Sequence, residues 1–307
     1  MLLLFLNPNT EDKQDELNFE IDERGEPVFM TLLDDNSIIY FYMNYQNIGA
    51  SYYRYYFDSD EIVEIGDISN FYLDVSSYVK VGDKLYFYVA EAESNTEICN
   101  ALYYIDIQDN TLHFVAKDED SVPGLYISNF DDAIVSLKNV RKGNEIITYL
   151  DFYHINSKKW DRKLETSFNE VTKEGSALYV CHSDGEFLYV IEDIYHNKIC
   201  NTVLRKYDKN MKVIKEINLD SDDLQYVLRE GRLTNIYVFQ DYIYIRNTAM
   251  ERFLGKIKEN SVKTILLAES LFKDMNLYEK DISLFYLSNK NVVFELNLQT
   301  EIIKEKN

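Results

Sequence analysis

The amino-acid sequence predicts an all-β protein built from repeated units. Short runs of alternating apolar and polar residues recur along the chain, and polar turns separate them. Aromatic residues, which favour half-buried pleated surfaces, make up 14% of the 307 residues. Only 3 prolines and 10 glycines are present, so most turns depend on Asn, Asp and Ser. No segment has the length and period of a long helix.

A repeat of about fifty residues is the strongest of these signals. The stretch "ICNALYYIDIQDNTLHFV" at 98–115 is echoed by "ICNTVLRKYDKNMKVIKEI" at 199–217. A hairpin pattern of strand, polar turn and strand occurs six times, with turns centred near Ser59, Asp109, Ser157, Asn210, Asn260 and Gln299. A second pair of alternating runs precedes each hairpin, most clearly in "SSYVKVGDKLYFYVAEA", where Gly82 and Asp83 make the turn.

Four short strands in each of six units predict a single domain over residues 1–307, a six-bladed β-propeller of four-stranded antiparallel blades. A seven-bladed ring or an incomplete ring is the alternative. Residues 1–25 form an N-terminal segment that includes a candidate clasp strand. The expected blades are residues 26–67, 72–118, 124–166, 175–219, 232–268 and 274–306.

The hairpin "LYYIDIQDNTL" at 102–112 resembles the blades of bacterial six-bladed propellers of the TolB-like and YWTD-like kind, through Leu102, Tyr104 and Asp106. The segment "LRKYDKNMKV" matches through Tyr207 and Asp208, and full YWTD tetrads are absent. The resemblance implies a propeller fold, and it implies a binding scaffold, since most members of this group serve as one.

Charge limits the classes of partner. The chain has 32 basic and 53 acidic residues, a net charge of −21, and this field repels the phosphates of nucleic acids. It suits a basic protein or a cation. The N-terminal run "LLLFL" is too short for a secretory signal or a bilayer span, so we expect no membrane insertion. We expect a cytoplasmic protein if Met1 is the natural start.

The sequence contains no recognisable catalytic or metal motif. It has no G-x-S-x-G elbow, P-loop or G-x-G-x-x-G. Cys99, Cys181 and Cys200 lack ligand spacing, and we expect them to be reduced and buried. Of the four histidines, only His196 is expected in a loop on the ligand face. We therefore predict no catalytic residue, no bound metal and no cofactor.

Long polar loops provide the candidate binding site. In propellers, the loops from second to third strand and from blade to blade share one face. The candidate binding residues on these loops are Glu91, Glu93, Asp118, Asp120, Arg141, Glu192, Asp193, Tyr195 and His196. They predict an acidic rim suited to a basic peptide or a cation. Plainly solvated loops are the alternative.

Two functions remain open at this point. The first is a non-catalytic module that recognises a protein, peptide or glycan through the acidic loop face. The second is a propeller-type hydrolase, lactonase or lyase that holds a cation such as calcium in its central channel. Its possible ligands are Asn70, Asn100, Asn129, Asn201 and Glu91. Propellers support both kinds of function, so fold alone does not choose between them.

Overall fold

A computed structural model gives the structure of the chain. It describes residues 2–6, 14–18, 27–34, 37–44, 49–69, 78–92, 98–118, 126–219, 222, 224–225, 233–239, 241–247, 252–268, 274–276, 283–287, 293–297 and 302–306. Almost all of this described part is β-strand, and every strand pair for which the register is defined is antiparallel. The all-β prediction is confirmed. Contacts divide the chain into two compact units, residues 1–127 and 128–307.

The first unit holds one two-stranded and two four-stranded sheets, each in simple up-and-down order. The two-stranded sheet is β1 (Leu2–Leu6) and β2 (Gln14–Asn18). The first four-stranded sheet is β3 (Pro27–Asp34), β4 (Ser37–Asn44), β5 (Gly49–Tyr56) and β6 (Glu61–Ser69). The second is β7 (Tyr78–Val81), β8 (Lys84–Ala92), β9 (Ile98–Asp106) and β10 (Thr111–Asp118).

The second unit begins within β11 and holds one eight-stranded and two four-stranded sheets. The eight-stranded sheet is β11 (Tyr126–Phe130), β12 (Ala133–Lys142), β13 (Glu145–His154), β14 (Lys159–Asn169), β15 (Glu174–Ser183), β16 (Leu188–His196), β17 (Ile199–Tyr207) and β18 (Val213–Asn218). The others are β19 (Leu233–Phe239), β20 (Tyr242–Asn247), β21 (Arg252–Lys258) and β22 (Ser261–Ala268), then β23 (Asp274–Asn276), β24 (Ser283–Leu287), β25 (Val293–Asn297) and β26 (Ile302–Lys306).

Five of the six predicted hairpin turns lie between paired strands where the polar residues placed them, and the turn near Gln299 lies outside the described residues. In the turn from β9 to β10, the Asp106 carboxylate accepts the amide of Gln108 at 3.0 Å, and the Asp109 carboxylate accepts the amide of Thr111 at 3.1 Å. Asn110 takes a left-handed conformation with φ 56°, which asparagine tolerates better than most residues. Side-chain bonds of this kind let Asn and Asp make turns without many glycines.

The hydrophobic core of the first unit lies between its two four-stranded sheets. Fully buried Tyr52 in β5 packs on Phe87 in β8, with ring centroids 5.3 Å apart. Ile39, Ile105 and other buried apolar residues from both sheets surround this pair. Neither sheet could bury an apolar face alone, so the pairing of sheets stabilises both.

One connection differs from the expectation of separate four-stranded sheets. Strands β14 and β15 pair through Phe168 with Gly175 and Asn169 with Glu174, which joins β11–β14 to β15–β18. Gly175 has φ +106°, and a Cβ atom there would lie 2.0 Å from the carbonyl oxygen of Ser167. Only glycine permits so close an approach of the two strands.

The N-terminal segment also differs from a simple clasp strand. Strands β1 and β2 pair with each other from Leu2 with Asn18 to Leu6 with Gln14, and they form a sheet of their own.

Candidate functional site

Three turns of the eight-stranded sheet lie side by side, and we call these turns, together with the strand ends that flank them, the turn edge. They are Gly143–Asn144 between β12 and β13, residues 170–173 between β14 and β15, and Asn197–Lys198 between β16 and β17. The amide of Glu170 donates to the carbonyl of Asn144 at 2.9 Å, and the Glu170 carboxylate pairs with Arg141. The amide of Asn197 donates to the Glu174 carboxylate at 2.8 Å. These bonds fix the turns relative to one another.

Glu174, the first residue of β15, organises the last of the three turns. Besides the amide of Asn197, its carboxylate contacts Nδ1 of His196 at 3.2 Å. The side-chain nitrogen Nδ2 of Asn197 lies 2.9 Å from Nε2 of the same ring. A neutral imidazole protonated on Nδ1 satisfies both contacts. The hydrogen bond from the Asn197 amide lowers the pKa of Glu174, so this carboxylate is an anion at neutral pH.

A polar cluster on β15, β16 and β17 lies close behind the turns. The hydroxyl of Thr202 donates to Asp193 at 2.5 Å, and that of Tyr195 donates to the other oxygen at 3.2 Å. Burial raises the pKa of Cys200 to about 11 and that of Tyr179 to about 12, with the Asp193 charge adding to both. The thiol and the phenol are therefore protonated at neutral pH, and neither supplies an anionic nucleophile.

An aromatic pair gives the turn edge a rigid base. The Tyr195 ring lies 4.2 Å from the ring of buried Phe168, centroid to centroid, across the strand position held by Gly175. The ammonium of Lys173 lies 5.5 Å from the Phe168 ring centroid. The ring pair and the hydrogen bonds of the turns together hold this edge of the sheet in a defined arrangement.

Large apolar side chains are exposed on this rigid base. Val171 is 69% exposed in the middle turn, and Ile199 is 63% exposed at the start of β17. Tyr179, at a bulge in β15, is also exposed. Sequence reasoning missed Val171 and Ile199, although an aliphatic residue within or next to a polar turn is a signal that could have found them.

The structure brings four of the predicted site residues to the turn edge: Arg141, Asp193, Tyr195 and His196. Glu192 lies elsewhere. It was predicted in a loop, but β16 continues to His196, and successive residues of a strand face opposite sides. Glu192 is 3% exposed and pairs with Arg205, whose Nε also donates to Glu216 at 3.0 Å. It serves as a structural ion pair inside the sheet.

The other predicted residues belong to the first unit. Glu91 and Asp118 lie near the ends of β8 and β10, but their side chains are outside the described part of the structure. Glu93 and Asp120 lie outside the described residues altogether.

The acidic rim stays a prediction, since the side chains of Glu91, Glu93, Asp118 and Asp120 lie outside the described part of the structure. The turn edge carries charges of both signs. Its acidic residues are Glu145, Glu170, Glu174 and Asp193, and its basic residues are Arg141, Lys142, Lys173 and Lys198. The two signs are equal in number at this edge, although the whole chain carries −21. Lys173 and Lys198 lie within the turns and supply two of the four positive charges at this edge. Both have positive φ.

The expected cysteine environment holds only in part. Cys181 is buried and free, as predicted, and burial raises its pKa to about 12. Cys200 is also free but is exposed, so the prediction of a buried thiol is wrong there. It lies opposite Tyr195 in the β16–β17 register. The side chain of Cys99 is outside the described part.

The candidate cation ligands do not form a described cluster. In the described part of the chain, no group of three or more His, Cys, Asp or Glu residues is arranged to hold a metal ion. Asn129 is on β11, with a buried side-chain oxygen that has no hydrogen-bond partner there, and Asn201 is exposed on β17. Asn70 and the side chains of Asn100 and Glu91 fall outside this part. Within the same part of the chain, no helix has the length and apolar character needed to cross a membrane.

Comparison with known proteins shows similarity in fold alone. No protein-family model matches the chain, and no curated protein matches it in sequence. The β-propeller domain of the trilobed protease from Pyrococcus furiosus superposes with a TM-score of 0.58 at 12% identity, over 91% of this chain and 83% of that one.

Two further solved structures are similar at lower scores. A candidate 6-phosphogluconolactonase from Bacteroides fragilis has a TM-score of 0.46 and 11% identity, over 90% of this chain and 95% of that one. Dipeptidyl peptidase 4 from Porphyromonas gingivalis has a TM-score of 0.47 and 12% identity, over 91% of this chain, which spans 46% of that one. The repeated antiparallel sheets and the Pyrococcus domain together identify the fold of this chain as similar to that of β-propeller domains.

Proposed function

We propose that the chain is a six-bladed propeller that acts as a non-catalytic binding module and holds a protein or peptide at its turn edge. Six successive groups of four strands, β3–β6 to β23–β26, support the blade count. The exposure of Val171 and Ile199 on a fixed frame supports the binding role, and it is the observation on which the proposal depends.

The energetics of these two side chains favour a macromolecular partner. Full burial of an exposed Val or Ile contributes about 1.5–3 kcal/mol, so covering both makes a substantial share of a micromolar affinity. Aromatic anchors with a polar tip are common in interfaces, and Tyr179 supplies one here. The turn bonds through Glu170 and Glu174 reduce the entropy lost on binding, because the loops are already ordered.

A site-specific photo-crosslinker tests this proposal in cells that naturally contain the protein. The probe replaces Ile199 at the turn edge or, as a matched control, Ile214 in β18, which is 52% exposed. We expect a discrete covalent adduct from position 199 and none of the same mass from position 214. The adduct should also weaken when Val171→Ser is added. Equal labelling at both positions, or no adduct at position 199, would contradict the proposed role.

A further inference from the structure

We infer that Thr148 of β13 is a positioning residue for the turn edge, because its hydroxyl holds the segment of β15 that presents Tyr179. The inference rests on the proposed function, since Tyr179 is one of the exposed side chains that would contact the partner. Thr148 itself is buried, with 1% of its surface exposed, so it offers no surface to a partner and acts only through β15.

The hydroxyl of Thr148 connects three strands. It accepts the backbone amide of Leu178 in β15 at 2.7 Å, a contact between residues 30 positions apart in the sequence. It also lies 2.7 Å from the hydroxyl of Thr166 in β14. A hydroxyl has one proton and two lone pairs, so it makes both contacts together, and they fix its orientation. The amide of Leu178 is thus bound to a side chain that is itself held in place.

This bond lies beyond the backbone ladder that joins β14 to β15. The register of these two strands runs as far as the pair of Phe168 with Gly175. Three residues later, Leu178 bonds to Thr148 of β13, on the far side of β14. The side-chain bond therefore extends the attachment of β15 up to the residue that precedes Tyr179.

A β-bulge follows at once and directs the tyrosine outward. Leu178 lies opposite Glu192 and Val180 lies opposite Ile191, so Tyr179 is the extra residue of β15. Bulges commonly re-aim a side chain in this way. Leu178 is buried, whereas Tyr179 is 38% exposed and its phenol bonds within the polar cluster behind the turns. The direction of Tyr179 therefore depends on where the backbone of Leu178 is held.

Substitutions at position 148 separate the hydroxyl from the packing of the side chain. Thr148→Val keeps the branched shape but leaves the buried amide of Leu178 without its acceptor, so we expect the bulge to shift. Thr148→Ser keeps the acceptor. The matched control is Thr166→Val, which also removes one hydroxyl from the pair of threonines but leaves the bond to Leu178 in place.

The photo-crosslinker at position 199 measures the effect on binding, in cells that naturally contain the protein. We expect the adduct yield to fall at least about threefold in Thr148→Val, and to stay close to that of the unsubstituted chain in Thr148→Ser and Thr166→Val. Tyr179→Ala should give a similar fall. The double variant T148V/Y179A should lose no more than Tyr179→Ala alone, because both changes act through one side chain. Additive losses would contradict the inference.

Amide hydrogen exchange of the purified full chain, followed by NMR at Leu178, checks the cause. The exchange should be at least about tenfold faster in Thr148→Val than in the wild type, Thr148→Ser or Thr166→Val. An unchanged rate would remove the first step of the inference. If Thr148→Val melts below the assay temperature, Thr148→Cys keeps a weaker acceptor of similar size and should give an intermediate adduct yield. A full yield from that variant would count against the positioning role.

The outcomes separate this inference from the proposed function. If Thr148→Val exchanges faster at Leu178 but forms the adduct in full yield, the positioning role is wrong and the binding role of the turn edge stands. If the unsubstituted chain forms no adduct at position 199, the proposed function fails, and the positioning role fails with it whatever the exchange rates are.

Discussion

Arg54 in β5 and Lys138 in β12 are both buried cations in the middle of a sheet, but their surroundings differ. Arg54 donates hydrogen bonds to a hydroxyl, a carbonyl and a side-chain amide oxygen. Its Nε and Nη2 donate to the Ser37 hydroxyl at 3.0 and 2.9 Å, and its Nη1 donates to the Ile107 carbonyl at 2.6 Å and to Asn110 at 3.1 Å. These bonds connect β3–β6 to the turn between β9 and β10.

Lys138 depends on a carboxylate instead. It is 0% exposed, and its ammonium donates to Asp151 in β13 at 2.8 Å. Arg162 in β14 donates to the other Asp151 oxygen at 3.0 Å and stacks 3.5 Å from the Tyr149 ring centroid. One carboxylate thus holds two cations inside three adjacent strands, whereas Arg54 distributes its bonds over two sheets. The carboxylate arrangement should be more sensitive to the loss of one partner.

The largest expected effect comes from removing that carboxylate. Asp151→Ala leaves the Lys138 ammonium buried without its counter-charge, and we expect a loss of about 3–5 kcal/mol in the free energy of unfolding. The shift of the urea midpoint measures it. The control is K138M/D151L, which removes both charges and should unfold close to the wild type. A double variant as unstable as Asp151→Ala would show that the charges themselves are not what matters.

The next largest effect is expected on acidification, from the titration of His182. Burial lowers the pKa of His182 in β15 to about 4, although Asp184 and a hydrogen bond to the backbone of Val238 act in the other direction. The unfolded chain binds a proton near pH 6.5 and the folded chain does not, so stability is full above that pH. It falls by about 3 kcal/mol as the pH drops from 6.5 towards 4.

Urea midpoints measured between pH 7 and 4 test this dependence. In His182→Gln the slope over this interval should be largely lost, since the group that titrates is gone. A wild-type slope that persists in the variant would assign the effect to other groups. Arg54→Met leaves His182 in place, so the slope over this interval should equal that of the wild type.

Removing Arg54 should have an intermediate effect. Arg54→Met leaves the Ser37 hydroxyl and the Ile107 carbonyl without these donors, which costs about 1–3 kcal/mol. The melting temperature and the urea midpoint both report it. Ser37→Ala in the same background should restore part of the loss, because it removes a hydroxyl that has lost two donors. An effect larger than that of Asp151→Ala would reverse the comparison.

The smallest effect is expected at the surface. Arg141 pairs with Glu170 at the turn edge, and both side chains are substantially accessible to solvent. Exposed ion pairs contribute about 0–1 kcal/mol, so Arg141→Ala should leave the melting temperature nearly unchanged. A shift as large as that of Arg54→Met would indicate that the pair holds the turns together.

The repeat could be read from the sequence because each hairpin combines a period of two with a polar turn. The turn at Gly82 and Asp83 lies between β7 and β8 as predicted. Charges inside strands were harder to predict. Glu192 resembled a loop residue because acidic and polar letters continue to the end of β16, and only the strand register places its side chain inside the sheet.

Buried lysine is also hard to predict from composition. Lys138 lies in "AIVSLKNVRK", and the alternation of apolar and polar residues there does not show which face of the sheet carries the charge. Its burial depends on Asp151 and Arg162, which are 13 and 24 positions away and meet it only through strand pairing. The turn edge was partly predictable: Arg141, Asp193, Tyr195 and His196 were identified as polar loop residues, while the aliphatic Val171 and Ile199 were overlooked.

The joining of β14 to β15 has a consequence for how the chain loses structure. Repeat proteins commonly open one unit at a time, because each repeat contacts only its neighbours. Here the backbone pairs at Phe168 and Asn169 continue one hydrogen-bonded ladder through two consecutive repeats. Amide protons on either side of this junction should therefore exchange with solvent in a single cooperative event, and the centre of the chain should behave as one subdomain of double length.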